Sequence, residues 1–483
     1  DGGARQNAAD AASALALIPD AELRKRARGD VLFAEGAAAL RADPARAAAL
    51  LGDAIDAYRA ANATPFLTEC HLLRARARSR LGDAAGAQRD LDDGIAVYER
   101  HPVQFAEGVV GTGVFNAGSA LYHDAVGAAL ARGDTAAAFA YAERSLAQIG
   151  APEPIVTPAD LQQRLRGSGA VVLELVVLPH DVVVFTVAAT GAGVHRQAIE
   201  ESHLGALADA AANGDSRASS SLYALLIAPA QADLARAKEA IIVAGRPLAR
   251  VPFAALADPA SKRMLIEQLP LSVAPSASVL RPRAPHAAPR SIVAVSIASD
   301  DVNLPGSAEE LADVRRFYAQ PVDIDGEHAT AAFFFDVARN ADVIHLSGHS
   351  AGNAAAGEAE LFFGPAGRRE RTSWRRLSSA ALAREPVVVL AACETLVAPG
   401  AAARRTLSLG EAFLAAGAGE VVGTLSPVAD DEARLFFHDF HRALAAGAGP
   451  AAAVREAQLE AIRGRRGTAW RSVAVLTRHI PQM

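Results

Sequence analysis

Cysteine is scarce. Cys70 and Cys393 are the two in 483 residues, and they stand far apart. A disulfide framework is excluded, and a reducing compartment, the cytoplasm, is the expected location. One of the thiols remains available as a nucleophile. Basic charge is not in excess: the net charge is −6 and the pI is near 6.1. Nucleic-acid binding is therefore not expected, since it usually needs a basic surface. No run of 18 apolar residues occurs, so membrane insertion is not expected either. The opening "DGGARQNAAD" lacks the basic start and apolar core of a signal peptide. It also lacks an initiator Met, and the natural amino terminus is expected further upstream.

What is present is globular: 51% hydrophobic and 21% charged residues, with Ala, Arg and Gly heavily used. The length suggests two or three domains. Residues 1–150 read as helices, with Leu and Ile at helical spacing over 30–42, 44–61, 65–81, 84–100, 115–132 and 135–149. Two stretches share a pattern of helix, Gly-Asp turn, helix, centred on Gly82-Asp83 and Gly133-Asp134. This is the layout of stacked helical hairpins such as tetratricopeptide repeats, which expose a concave groove. An ordinary helical bundle is the plainer alternative.

"GAPEPIVTP" is a linker, and the pattern changes after it. "AVVLELVVLPHDVVVFTVAATGAGVHRQAI" holds two β-branched runs around Pro179-His180-Asp181, a hairpin. Helix is expected up to about Lys238. Strands then alternate with helices: "AIIVAG", "SIVAVSIA", "DVIHLS", "PVVVLAA" and "EVVGTL" against "GSAEELADVRRFY", "ATAAFFFDVARN", "SLGEAFLAAG" and two long final helices. Alternation of this kind predicts a mostly parallel α/β sheet, with its chemistry at the carboxyl ends of the strands. Ser408 and Glu411 form a capping box for one helix, and Gly417 closes it.

Two strand ends carry reactive side chains. "VIHLSGHSAGN" reads in two ways. Gly348-His349-Ser350-Ala351-Gly352 fits the nucleophile elbow of serine hydrolases, which needs a helix directly after the serine. The segment after Ser350 instead reads as loop and a short strand, "ELFFG", and no HGGG-type loop precedes it. The second reading makes His349 the base for Cys393, which follows "VVVLAA" at another strand end. A buried filler cysteine is the plainer reading of that thiol. His345 and His349 also invite a metal. Four residues of strand span about 13 Å, so the two cannot share an ion, and no ligand cluster stands nearby. No metal or other cofactor is expected, and His345 reads as a buried, hydrogen-bonded core histidine.

Six ordered segments, "IIVAGRPLARVPFAAL", "LPLSVAPSASVL", "LPGSAEEL", "HATAAFFFDVARNADVIHLSGH", "VVVLAACET" and "SLGEAFLAAGAGEVVGTLSPVADDEA", resemble the motifs of the CHAT family of caspase-like cysteine proteases. The likeness spans roughly 155–483 and extends more distantly to caspases and separase. It implies a helical tetratricopeptide-like domain (1–150), a first CHAT part resembling a non-catalytic half (151–285), and a caspase-like catalytic half with a mostly parallel sheet (286–483). It also implies that His349 and Cys393 form a catalytic dyad, that the N–H groups of Ser350 and Cys393 form the oxyanion hole, and that a protein or peptide is the substrate. In separase-like relatives an acidic residue after the corresponding strand receives a basic P1 side chain, and Asp430 or Asp431 falls there. The bland role for both is to open the next helix.

The chain departs from the family at Ser350, where a glycine is usual after the histidine, and at Ser426, where a tryptophan is usual. An inactive scaffold that binds partners through its helices therefore stands beside the protease, and a serine esterase using Ser350 stands third. Such fusions imply a protein activator acting through the helices and a role in bacterial defence or regulated cell death.

Overall fold

The computed structural model describes residues 13–100, 108–147, 154–283, 287–297, 305–324, 330–348, 350–353, 358–363, 370–398 and 407–482. The chain divides into a unit that runs to Gln148 and a unit that carries the sheet.

The first unit contains α1 (Ala21–Ala39), α2 (Pro44–Ala60), α3 (Leu67–Arg80), α4 (Ala84–Arg100), α5 (Gly108–Ala131) and α6 (Thr135–Ala147), each packed on the next. Asp20 and Asp43 cap α1 and α2 by accepting from backbone N–H groups in the first turn. The two Gly-Asp turns share one geometry. Gly82 and Gly133 sit at φ +78° and +73°, which suits glycine. The aspartate after each accepts from the N–H three residues on, that of Gly86 or Ala137. Glycines also let aromatic rings approach: a Cβ on Gly118 would lie 2.4 Å from the Tyr98 ring. Helix α5 begins earlier than expected at 115. Its first turns hold Gly108, Gly111 and Gly113, which weaken the helical signal in the sequence.

The second unit opens with α7 (Pro158–Arg164), then β1 (Ala170–Leu178), β2 (Asp181–Ala188) and β3 (Gly191–Ala198). Next come α8 (Glu201–Ala212), α9 (Ser216–Leu222), β4 (Glu239–Ala244), β5 (Leu271–Ala274) and β6 (Arg281–Arg283). The remainder is β7 (Ser291–Ile297), α10 (Pro305–Arg315), β8 (Gln320–Ile324), α11 (Ala331–Ala338), β9 (Val343–Gly348), β10 (Ser350–Asn353), β11 (Glu358–Phe363), β12 (Glu370–Ser373), α12 (Trp374–Ser378), β13 (Val387–Ala391), α13 (Leu409–Ala415), β14 (Glu420–Thr424), α14 (Asp430–Ala445), α15 (Pro450–Gly464), β15 (Val473–Thr477) and β16 (His479–Pro481).

Among the described residues, one sheet of 11 strands runs β3-β2-β1-β4-β5-β15-β14-β13-β9-β7-β8. It is mostly parallel. Only the β1–β2, β2–β3 and β14–β15 pairs are antiparallel. The expected hairpin is β1 and β2, and the chain adds β3 beyond it, a largely exposed strand without an apolar pattern. Edge strand β8 and antiparallel β15 also lie outside the expected elements.

Successive side chains of a strand face opposite layers. Val343, Val387, Val389 and Val422 meet Phe436, Phe437 and Phe440 of α14 on one face. Ile344, Leu346, Val388, Leu390 and Val421 meet Phe334 of α11 and Phe413 of α13 on the other. Helices on both faces of a parallel sheet make its strands continuously apolar, which is why "VVVL" and "VIHL" read as buried.

Candidate active site

Strand β13 lies between β9 and β14, parallel to both. Its register on β9 pairs Val387 with Val343 and Ala391 with Ser347, so the two strands end together at the carboxyl edge. Gly348, the last residue of β9, has φ +154°, a backbone conformation that residues with a Cβ avoid. His349 lies outside the described residues. Ser350 begins β10, which pairs with β11 through Ser350 and Leu361. The segment after Ser350 is thus strand, not the helix a serine elbow requires.

Cys393 stands just past β13, half-buried. The loop around it is held from several sides. The Thr424 hydroxyl, at the end of β14, donates to the Ala392 carbonyl at 2.6 Å. The Thr424 N–H donates to the Thr395 hydroxyl at 3.0 Å. Glu394 sits at φ +53° and pairs with Arg250, from the turn after β4. The other cysteine, Cys70, is buried in the helical unit, and burial pushes its thiol up to about 12. Its thiolate is therefore suppressed at neutral pH.

Asp430 and Asp431 open α14, followed by Glu432. Glu432 accepts from the N–H groups of Thr468 and Ala469. No side chain caps the helix at Ala429. Both aspartates thus sit at a helix amino terminus that favours anions, beyond the carboxyl end of β14.

His345 lies mid-strand with both ring nitrogens engaged. Its Nε2 is 2.7 Å from Glu310 Oε1 on α10, and its Nδ1 is 2.8 Å from His441 Nε2 on α14. His441 Nδ1 is 2.7 Å from the Tyr318 hydroxyl. A carboxylate only accepts, so His345 donates from Nε2. A neutral His441 donates from one ring nitrogen and accepts at the other, so it bridges the His345 ring and the Tyr318 hydroxyl. Burial, with His345 and His438 nearby, holds His441 well below the usual histidine range and keeps it neutral. A metal at His345 has no free nitrogen to use. Among the described residues one group brings metal-type ligands together, His71, Asp90 and Asp93. Asp90 already accepts from Arg74 and Arg78, which is poor company for a cation.

The CHAT domain is matched over residues 216–480, more than half of the chain. The chain belongs to the CHAT family. That family is one of caspase-like proteases. No curated protein matches the chain. Two crystal structures of the Saccharomyces cerevisiae separase–securin complex are similar to this CHAT protein at 8% identity. The one at 3.0 angstrom resolution aligns with a TM-score of 0.51 over 95% of this chain. The one at 2.6 angstrom resolution aligns with a TM-score of 0.49 over 94%. The chain covers 40% of the length of each matched chain. The likeness is one of fold.

Nothing in the local sequence pattern marked Thr424, Thr395 or Arg250 as residues that hold the loop of Cys393. Their relation depends on strand order and register, which local patterns do not carry. Glu310, in "LPGSAEEL", was visible only as part of a motif.

Proposed function

We propose that this CHAT protein is a cysteine endopeptidase that cleaves a protein partner, with Cys393 as nucleophile and His349 as base. One observation carries the reading. β13 and β9 are parallel neighbours ending together, with Ala391 opposite Ser347. In the sequence, Cys393 follows Ala391 by the same step as His349 follows Ser347. A dyad drawn from adjacent strand ends needs this arrangement.

In this reading the Cys393 thiol gives its proton to His349 as the sulfur adds to the scissile carbonyl carbon, and the carbonyl electrons move onto oxygen. The N–H groups of Ser350 and Cys393 stabilise that oxyanion. Collapse expels the amine, which takes its proton from His349. A water molecule, giving a proton to His349, then splits the thioester and returns the thiol. Asp430 and Asp431 receive a basic P1 side chain. Residues 1–150 act as a tetratricopeptide-like domain that recruits the substrate or senses an activator, 151–285 form the non-catalytic half, and 286–483 the catalytic half. A reducing compartment such as the cytoplasm keeps the thiol available.

A second reading has one feature in its favour. Ser350 replaces the glycine usual after the catalytic histidine, and a side chain there restricts the backbone. A scaffold without activity would follow.

New amino termini decide between them. A cell extract is treated with wild type, Cys393→Ala or His349→Ala, and fresh termini are sequenced by mass spectrometry. Cleavages made by wild type alone support the protease. The same cleavages from Cys393→Ala overturn it, and none from wild type sides with the scaffold.

A further inference from the structure

Thr424 spends every polar group it has on the loop that carries Cys393. Its hydroxyl donates to the carbonyl of Ala392, the residue before the cysteine, at 2.6 Å. Its N–H donates to the hydroxyl of Thr395, two residues after the cysteine, at 3.0 Å. Its carbonyl accepts from the Leu396 N–H at 3.0 Å. Thr395 in turn accepts, through its carbonyl, from the Gly410 N–H of α13 at 3.0 Å. Thr424 and Thr395 are 2% and 0% exposed, so water does not compete for these bonds. The fit is close: a Cβ on Gly423 would lie 2.5 Å from the Thr395 hydroxyl.

The bracketed stretch is unusual in itself. Glu394, directly after the cysteine, holds φ +53°, which costs a residue with a side chain free energy unless its surroundings enforce it. The Thr424–Thr395 clasp fixes the chain on either side of Cys393 and Glu394. Arg250 ties down the Glu394 carboxylate. Such a loop presents the sulfur and the Cys393 N–H in one arrangement.

We propose that Thr424 is a positioning residue for Cys393, working with Thr395 as a reciprocal clasp across the nucleophile. This rests on the reading of Cys393 as the nucleophile. Thr424 touches no substrate. It sets where the sulfur stands when the carbonyl arrives, and misplacement of about 1 Å can cost on the order of 100-fold in rate.

Thr424→Val keeps the shape and deletes the hydroxyl, and Thr424→Ser restores the hydroxyl. The full-length variants are titrated with peptidyl acyloxymethyl ketones bearing Arg, Leu or Asp at P1, and the adduct at Cys393 is followed by mass spectrometry. The expected result is a fall of about 10- to 100-fold in the maximal inactivation rate of Thr424→Val. The half-saturating probe concentration should hold, and Thr424→Ser should recover to within about threefold of wild type. Iodoacetamide, which needs no aligned dyad, should alkylate Cys393 at similar rates in all three. Equal inactivation of wild type and Thr424→Val overturns the clasp and leaves the protease reading intact. A loss that Thr424→Ser fails to recover also overturns it. Wild type that never labels at Cys393 overturns the nucleophile reading instead. Should Thr424→Val not fold, Thr395→Val and Thr395→Ser put the same question at the other end of the clasp.

Discussion

The buried chain Tyr318–His441–His345–Glu310 ties the stability of the sheet unit to pH. In the folded protein His441 stays neutral, because burial and its histidine neighbours hold it well below the usual range. In the unfolded chain the same ring takes up a proton near pH 6.5. The unfolded state therefore binds more protons as pH falls below about 6.5, and stability falls with it. The full contribution is present above that pH and declines below it. The slope approaches ~1.4 kcal/mol per pH unit, and between pH 7 and pH 5 it amounts to ~2 kcal/mol for this one residue. His441→Gln keeps one donor and one acceptor in place while removing the titration. Trp374 and Trp470, the two tryptophans of the chain, both lie in the sheet unit. Urea unfolding followed by tryptophan fluorescence at pH 5, 6 and 7 thus reads the right transition. Wild type should lose ~2 kcal/mol more than His441→Gln across that range. Equal losses in the two proteins would refute the assignment of His441 as a buried neutral ring.

Other substitutions test the packing and the site. Gly118→Ala drives a Cβ to 2.4 Å from the Tyr98 ring and should destabilise the helical unit by about 1–3 kcal/mol, read by far-UV circular dichroism during unfolding. Phe334→Ala empties a fully buried position between Phe363 and Phe413 and should cost about 3–5 kcal/mol in the tryptophan-reported transition. The double substitution Asp430→Asn with Asp431→Asn should cut turnover of a P1-Arg peptide by at least ~10-fold, with little change for P1-Leu, as loss of a charge-assisted contact requires.

Much of this architecture was legible in the sequence, and for identifiable reasons. The Gly-Asp turns showed because glycine at positive φ followed by a capping aspartate is a local device. The capping box of α13 showed because Ser408 and Glu411 satisfy each other's N–H groups. "VIHLS" and "PVVVLAA" showed because a strand covered on both faces is apolar throughout. His345 was legible as a core histidine, though its two hydrogen-bond partners, Glu310 and His441, were not. Strand β3 was invisible, since "GAGVHRQA" has no buried face to impose a pattern. Strand β8 carries Gln320, Pro321, Val322 and Asp323 in exposed positions, and its pairing with β7 is a property of the sheet edge alone. Around the site, Cys393 was legible from its place after a valine run. The threonine clasp was not, because Thr395 and Thr424 meet only once β13 and β14 are side by side.

The most direct test of the dyad is where a covalent probe comes to rest. Wild type, His349→Ala and Ser350→Ala are treated with a P1-Arg acyloxymethyl ketone and, separately, with a fluorophosphonate. The modified residue is then mapped by mass spectrometry. A His349/Cys393 protease predicts a ketone adduct on Cys393 in wild type and Ser350→Ala, its near-loss in His349→Ala, and no fluorophosphonate adduct. A fluorophosphonate adduct on Ser350, or a Cys393 adduct that forms as fast without His349, would contradict it.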